Sequence, residues 1–189
     1  MTAQTWPMRH GATEWSVAGR HTGRTDLPLT PDGEAQARRL GERLAGQRFQ
    51  LVLVSPLARA WRTCELAGYA PQAEADMDLV EFDYGDYEGL TTAQIRASVP
   101  GWTIWSGPCP GGETLTEVAA RADRVIERVR ASGAADVALF AHGHVLRILA
   151  ARWCGLDPAL GRCFSLDPAT RSVLGWEHDE PTVRSWNEP

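Results

Sequence analysis

Short apolar runs that each lead into a helix are the feature of this chain that most restricts its fold. Residues 51–54 (Leu-Val-Leu-Val) precede Ser-Pro and an amphipathic segment, and residues 137–141 (Val-Ala-Leu-Phe-Ala) lead through His-Gly-His into an apolar segment. Such runs are typical of strands buried on both faces of a parallel sheet. The alternation predicts an α/β fold, a three-layer sandwich with a mostly parallel central sheet and helices on both faces.

Helical periodicity and capping residues predict the positions of the helices. Thr30 has the side chain of an N-cap, and it is followed by Pro31 and by apolar residues at helical spacing. The tail is different, because two β-like stretches flank Asp-Glu-Pro and predict a hairpin at a sheet edge. The predicted helices cover residues 30–46, 57–67, 92–99, 116–132 and 145–153, and the hairpin strands cover 172–178 and 182–186.

Pro7 lies inside the first predicted strand. Proline has no amide hydrogen to donate to a sheet ladder, and it is usually confined to edges, strand ends or bulges. We therefore expect this strand to be short, irregular or paired on one side only.

Composition excludes several classes of protein. A length of 189 residues suits one domain, and a net charge of -5 argues against a nucleic-acid binder. No apolar run could span a bilayer, and no secretory signal is visible at the N-terminus, so we expect a cytoplasmic protein that binds neither membranes nor nucleic acid. The four cysteines lack Cys-x-x-Cys spacing, which predicts reduced thiols without a metal or redox role.

Arg9, His10 and Gly11 stand side by side where the first strand is predicted to end. One ring nitrogen of a histidine can attack phosphorus while the other is held by a hydrogen bond, and a guanidinium can neutralise phosphoryl oxygens. Arg59 and His142 also follow predicted strands, and the carboxyl ends of parallel strands form one crevice that suits an anion. By themselves the three adjacent residues are equally compatible with an exposed polar turn.

Four further segments join the first in an order that resembles the histidine phosphatase superfamily, the phosphoglycerate-mutase-like proteins. The resemblance covers nearly the whole chain. The matching segments are residues 9–16, 19–30, 55–60, 81–89 and 140–144. Within that superfamily, residues 84–92, 102–105 and 109–114 are similar to a branch that contains actinobacterial acid phosphatases and sedoheptulose-bisphosphatase-like enzymes.

The resemblance implies a role for each matching residue. His10 is implied as the nucleophile, with Arg9, Arg59 and His142 around the phosphoryl oxygens. Glu81 is implied as the proton donor, and then as the base that activates water. Asp83 and Asp86 lie in the same acidic segment and are the alternative proton donors. The implied substrate-binding residues are Thr13, Arg20, Thr22, Gly23 and Gly143.

Neighbouring residues suggest how the rest of a substrate is held. Arg20, His21 and Arg24 are candidates for a second anionic subsite. We expect His144 to support the site rather than to act in catalysis. Tyr87, Trp102 and Trp105 either line the roof of the pocket, where aromatic faces suit sugar rings, or pack the loop around them.

A metal centre is the alternative use of these histidines. His142 and His144, with His10 and Glu81, imitate a three-ligand zinc site. The arginines beside His10 would repel a divalent cation, so we expect neither a metal nor another cofactor.

The expected function is that of a metal-independent phosphomonoesterase that acts through a phosphohistidine intermediate on small phosphorylated metabolites, with sugar phosphates as the leading class. Only a small cap region, around residues 82–115, is expected within the single domain 1–189, so water should reach the site. The alternatives are a phosphoglycerate mutase and a non-catalytic phosphate-binding module. The sequence leaves open whether the chain forms a homo-oligomer.

Overall fold

A mixed sheet of six strands forms the centre of the protein. The computed structural model describes residues 4–189, and the strands lie in the order β3-β2-β4-β1-β5-β6. Neighbours among β1 to β4 pair in parallel, whereas β5 pairs antiparallel with both β1 and β6. The strands are β1 (Gln4–Arg9), β2 (Leu51–Val54), β3 (Ala73–Ala75), β4 (Asp136–Ala141), β5 (Arg171–Glu177) and β6 (Glu180–Glu188).

The tail forms the predicted hairpin, with β6 at the edge of the sheet. The prediction of a mostly parallel sheet is therefore confirmed for the four strands that carry the site, and the antiparallel part is confined to the appended hairpin.

All five predicted helices form, with ends shifted by a few residues. Thr30 caps α2 by accepting a hydrogen bond from the Gly33 amide, 3.0 Å away, and α2 ends at Arg43, three residues earlier than predicted. A further helix of one turn, α1, was not predicted because four residues carry too little periodicity. The helices are α1 (Glu14–Val17), α2 (Pro31–Arg43), α3 (Ala58–Leu66), α4 (Thr92–Ser98), α5 (Leu115–Ala131) and α6 (Gly143–Trp153).

Alternate side chains of the central strands enter two different hydrophobic clusters. Leu53 and Leu139 belong to a cluster that includes residues of α5 and α6. Val54 and Phe140 belong to a second cluster, which includes residues of α2 and α3. Because successive side chains of a strand point to opposite faces, the helices cover both faces of the sheet, as the sequence predicts.

Pro7 is accommodated by its position in β1. The amides of Gln4 and His10 donate to carbonyls on the β4 side, at 2.7 and 3.0 Å. Since amide directions alternate along a strand, the nitrogen of Pro7 faces β5. Pairing with β5 is limited to Thr5 and Met8, whereas every residue of β1 pairs with β4. The strand is therefore complete on one side and sparse on the other.

Between residues 4 and 189, no helix combines the length and the hydropathy needed to cross a membrane. The cysteines are free thiols, and burial raises the pKa of Cys64 to about 12 and that of Cys109 to about 11. Both thiols are therefore protonated, and neither is a nucleophile at neutral pH.

Candidate active site

The ends of three neighbouring strands bring the predicted catalytic residues together. His10 follows β1 and His142 follows β4, and their ring centroids are 5.1 Å apart. Arg59 lies in the first turn of α3, which follows β2, and Glu81 follows a short 3₁₀ turn at residues 77–79. This is the carboxyl edge of the parallel part of the sheet, where α/β proteins bind their ligands.

One hydrogen bond fixes the tautomer of His10. Its Nδ1 lies 2.7 Å from the carbonyl oxygen of Gly11, and a carbonyl can only accept, so Nδ1 carries the hydrogen. Burial lowers the pKa of His10 well below its usual range, and the charges of Arg9 and Arg59 lower it further. The ring is therefore neutral near pH 7, and its Nε2 has a free lone pair that can attack an electrophile.

Gly11 holds this histidine on a rigid support. Its amide donates to Oγ1 of Thr63 at 3.0 Å, and that hydroxyl donates to the carbonyl of Arg59 at 2.7 Å. A side chain at Gly11 would collide with the backbone of Gly33 in α2. Glycine is needed here because the N-terminus of α2 packs directly against the loop that carries His10.

Arg59 is fully buried and donates hydrogen bonds to the backbone of the segment 22–25. Its Nη1 donates to the carbonyl of Thr25 at 3.0 Å, and its Nη2 donates to the carbonyls of Thr22 and Gly23 at 3.2 and 2.9 Å. The remaining contact joins its Nε to Nδ1 of His142 at 3.1 Å. Arg59 thus binds the backbone that follows the first motif and places its charge beside both histidines.

The contact with Arg59 also sets the tautomer of His142. Because Nδ1 accepts from Arg59, the hydrogen lies on Nε2, which donates to Oγ of Ser55 at 2.7 Å. Burial and then the charge of Arg59 lower the pKa of His142 well below its usual range. His142 is therefore neutral and fully buried, and it lies beside His10 without lining the open cavity.

Arg9 turns its charge toward the cavity. Its Nη1 donates to the carbonyl of Leu166 at 2.5 Å, while its buried Nε has no hydrogen-bond partner within residues 4–189. Burial lowers the pKa of this guanidinium, and the charge of Glu81 opposes that shift. A buried donor without an acceptor is costly, and the same guanidinium places its positive charge at the cavity that an anion would enter.

Glu81 lines the same cavity and has the charge opposite to that of Arg9. Glu81 is 4% exposed, and its carboxylate accepts from the amides of His144 at 3.0 Å and Val145 at 2.9 Å, in the first turn of α6. The Gly143 amide precedes these two and has no acceptor in the part of the chain that the structure describes. The N-terminus of α6 therefore holds one carboxylate and keeps one donor for a second anion.

The alternative proton donors lie elsewhere. Asp83 accepts from the Gly85 amide at 3.0 Å and pairs with Arg24 at 3.4 Å, and neither Asp83 nor Asp86 lines the cavity. Arg24 is therefore held by carboxylates at the surface, and the structure does not place it in the second anionic subsite that the sequence suggested.

The five predicted substrate-binding residues divide into two groups. Arg20, Thr22 and Gly143 line the cavity. Thr13 does not line it: its side chain is fully buried and caps α1 by accepting from the Ser16 amide at 3.2 Å. Gly23 does not line it either, and its amide donates to the carboxylate of Glu88 at 2.8 Å, so this donor is not free for a substrate.

The cavity has a volume of about 180 Å³ and contains residues that sequence reasoning did not assign to it. Arg147 is the clearest of them, and its spacing from Gly143 places both on one face of α6, a signal that was available in the sequence. Tyr84 also lines the cavity, and its hydroxyl forms a hydrogen bond with Nδ1 of His144 at 2.7 Å. The other such residues are Ser16, Gly19 and Leu166.

A second chamber of about 260 Å³ adjoins the first and shares His21 and His144 with it. Trp102 and Trp105 line this chamber, and Tyr87 packs edge-on against Trp102 with ring centroids 5.3 Å apart. None of the three aromatic residues lines the cavity that contains His10: Trp102 and Trp105 line the second chamber, and Tyr87 packs against Trp102.

Residues 4–189 contain no cluster of three or more histidine, cysteine or carboxylate side chains arranged to hold a metal ion. Both ring nitrogens of His142 are engaged in hydrogen bonds.

Comparison with known proteins agrees with this geometry. The model of the histidine phosphatase superfamily (branch 1) matches residues 6–189. An acid phosphatase of Mycobacterium tuberculosis is 40% identical over 174 residues, which cover 90% of this chain and 85% of that protein. The sedoheptulose 1,7-bisphosphatase of Saccharomyces cerevisiae is 39% identical over 180 residues, covering 79% of this chain and 66% of the yeast enzyme. Phosphoglycerate mutases of Brucella species match at 35% identity.

A solved structure of a Mycobacterium tuberculosis protein superposes with a TM-score of 0.93 at 37% identity, covering 98% of this chain and 97% of that one. Fold and site together define an α/β phosphatase with a histidine at the centre of its site. The chain belongs to the histidine phosphatase superfamily.

Proposed function

We propose that this phosphatase is a metal-independent phosphomonoesterase that forms a phosphohistidine at His10 and acts on small phosphorylated metabolites, with sugar phosphates as the leading class. The observation that carries the proposal is that the free Nε2 of a neutral His10, the guanidinium of Arg9 and the carboxylate of Glu81 meet at one small cavity.

In the first step, the phosphoryl group binds to Arg9 and to the amide of Gly143. Nε2 of His10 attacks phosphorus, the bond to the ester oxygen breaks, and that oxygen takes a proton from Glu81. The imidazole becomes positively charged, and its Nδ1 hydrogen bond to Gly11 stabilises that charge.

In the second step, water attacks the phosphorus of the phosphohistidine. Glu81, now a carboxylate, accepts a proton from that water, and the bond between phosphorus and Nε2 breaks. Inorganic phosphate and a neutral His10 result, so each proton and each bond is restored over the cycle.

Arg59 and His142 support this chemistry from behind the nucleophile. Arg59 favours the neutral ring before attack, since its charge adds to burial in lowering the pKa of His10. The charge of Arg59 also stabilises negative charge that builds up on the phosphoryl group. In this proposal Arg59 acts through electrostatics and through its bonds to the segment 22–25.

The rest of the substrate lies under the segment 82–115, which we propose as the cap of the cavity. Trp102 and Trp105 of this segment line the second chamber, and aromatic faces of this kind suit a sugar ring. In this proposal the chamber gives the ring of a sugar phosphate a surface on which to pack.

Phosphate release and isomerisation, measured together, test the function. A panel of sugar phosphates, phosphoglycerates, nucleotides and phosphopeptides should yield inorganic phosphate, fastest for one of the sugar phosphates, and the His10→Ala variant should yield none. Dominant isomerisation of 3-phosphoglycerate would instead make the protein a mutase. Tight phosphate binding without turnover would make it a binding module.

A further inference from the structure

The backbone of Glu81 is held differently from those of Arg9, Arg59 and His142. Arg9 ends β1, Arg59 lies in α3, and His142 is the N-cap of α6, so regular structure fixes the position of each. Glu81 lies within residues 80–84, which belong to neither a helix nor a strand. The carbonyl groups of this segment therefore need hydrogen-bond donors from other parts of the molecule.

One buried guanidinium supplies those donors. Nη1 of Arg121, a residue of α5, donates to the carbonyls of Asp78 at 2.7 Å and Val80 at 2.9 Å. Its Nη2 lies 3.5 Å from the carbonyl oxygen of Glu81 itself. Arg121 is only 8% exposed, and hydrogen bonds in such surroundings are stronger than those in water. A single side chain thus holds the backbone that leads into Glu81.

Glu113 fixes the orientation of this guanidinium. Its two carboxylate oxygens accept from Nε and Nη2 of Arg121 at 2.8 and 2.9 Å, which forms a bidentate pair. The same carboxylate accepts from the amide of Asp83 at 2.9 Å, and the amide of Glu113 donates to the carbonyl of Asp83 at 2.9 Å. Arg121 and Glu113 therefore hold the chain on both sides of Glu81, from residue 78 to residue 83.

The carboxylate of Glu81 is bonded to a second helix. It accepts from the amides of His144 and Val145 at the start of α6. Side chains of α5 and α6 belong to one hydrophobic cluster, so Arg121 on α5 and these two amides on α6 form a common frame around Glu81. A displacement of the Glu81 backbone would therefore move its carboxylate relative to that frame and to His10.

We propose that Arg121, locked by Glu113, is a positioning residue that places the carboxyl group of Glu81 at the leaving oxygen of the substrate. The proposal rests on the proposed phosphatase function, in which Glu81 protonates that oxygen. Arg121 does not line the cavity, so it acts through Glu81 and not through the substrate. A displacement of about 1 Å at a catalytic group can lower a rate about 100-fold, and leaving groups that need a proton should be affected most.

The leaving group separates a loss of positioning from a loss of stability. In Arg121→Met protein, kcat/KM for the fastest sugar phosphate should decrease about 10-fold more than kcat/KM for 4-nitrophenyl phosphate, whose leaving group departs without a proton. Both values report the formation of the phosphoenzyme, before Glu81 acts as a base. A variant that is only less stable would lose both activities in the same proportion.

Arg121→Lys keeps the charge without the planar fork of donors. It should change the ratio of the two kcat/KM values in the same direction and by a smaller factor, and it provides the measurement if Arg121→Met does not fold.

Arg128→Met is the matched control. Arg128 lies on the same helix and pairs with Asp76 at 2.8 Å, outside the segment 78–83, so its ratio of the two kcat/KM values should equal that of the parent. In the Glu81→Gln background, Arg121→Met should leave the ratio unchanged, because the proton donor that Arg121 positions is already absent. A parental ratio in Arg121→Met protein, or an equal change in the Glu81→Gln background, would overturn the proposal.

Amide hydrogen exchange tests the positioning without turnover. The amides of His144 and Val145 are bonded to the Glu81 carboxylate, so in Arg121→Met protein they should exchange about 10-fold faster relative to the amides of β4, which report global opening. Relative exchange rates equal to those of the parent would contradict the proposal. A parent that hydrolyses neither substrate would refute the proposed function, and the exchange rates would still decide whether Arg121 holds Glu81 in place.

Discussion

The two sides of the candidate site are built differently. Behind His10, Arg59 and His142 are fully buried, and together they bond to each other, to Ser55 and to three backbone carbonyls. On the cavity side, Arg9 and Arg147 are held by carbonyls and keep donors without partners in the described chain. Polar groups satisfied by the protein itself fix geometry, whereas polar groups left unsatisfied are available to a ligand. The buried side is therefore expected to fix the position and tautomer of His10, and the cavity side is expected to select the substrate.

After His10→Ala, the largest loss of activity is expected at Glu81, whose carboxylate lines the cavity. Glu81→Gln removes the proton donor, so kcat for alkyl phosphates should decrease by a factor of about 10² to 10⁴. The decrease should be smaller for 4-nitrophenyl phosphate, because its leaving group departs without a proton. Steady-state phosphate release measures both values.

Asp83→Asn is the matched control, because Asp83 lies in the same acidic segment outside the cavity. Its kcat should stay within a few-fold of the parent. A larger loss of kcat for Asp83→Asn than for Glu81→Gln would refute the assignment of Glu81 as the proton donor.

Arg59→Met tests whether the buried side holds the structure. The substitution leaves the carbonyls of Thr22, Gly23 and Thr25 without their donor, so the free energy of unfolding should decrease by about 3 kcal/mol or more. Arg20→Met removes an exposed cation of the open side, and it should change that free energy by less than about 0.5 kcal/mol. Equal decreases in the free energy of urea unfolding for Arg59→Met and Arg20→Met would contradict the structural role given to the buried side.

The pH dependence of stability sharpens the same comparison. Burial lowers the pKa of His10, His142 and His144 in the folded protein. These rings stay neutral when folded and take up protons on unfolding below about pH 6.5, so their contribution to stability is present above that pH and is lost as the pH falls. Each contributes up to about 1.4 kcal/mol per pH unit to the slope.

Denaturant unfolding between pH 5 and pH 7 measures that slope. The His142→Asn variant should have a smaller slope, because it takes up one proton fewer on unfolding. An unchanged slope in His142→Asn protein would mean that His142 is not held neutral by its buried contacts.

The smallest expected effect is that of metal removal. Exhaustive chelation should leave phosphate release unchanged, because positive charge in the proposed mechanism comes from arginine. Loss of activity that zinc restores would contradict the proposal, and it would assign the histidines to a metal instead.

Local patterns and motif order predict much of this molecule. The buried strands and capped helices are read from neighbouring residues, and the five motif segments indicate which residues meet. Contacts between distant segments could not be read in the same way. The Glu88 carboxylate that occupies the Gly23 amide and the Gly161 carbonyl that holds Arg147 depend on the tertiary packing. The family resemblance implies Thr13 as a substrate contact, and the single helical turn that Thr13 caps gives no periodic signal that would have indicated its role as a cap.

The central claim is that the free Nε2 of His10 is the nucleophile. Rapid acid-free quenching of the enzyme with a radiolabelled substrate, followed by peptide mapping, tests it most directly. The phosphoenzyme should be stable in base and labile in acid, with the label on His10 and absent from His10→Ala protein. Turnover without a phosphoenzyme, or a label on any other residue, would contradict it.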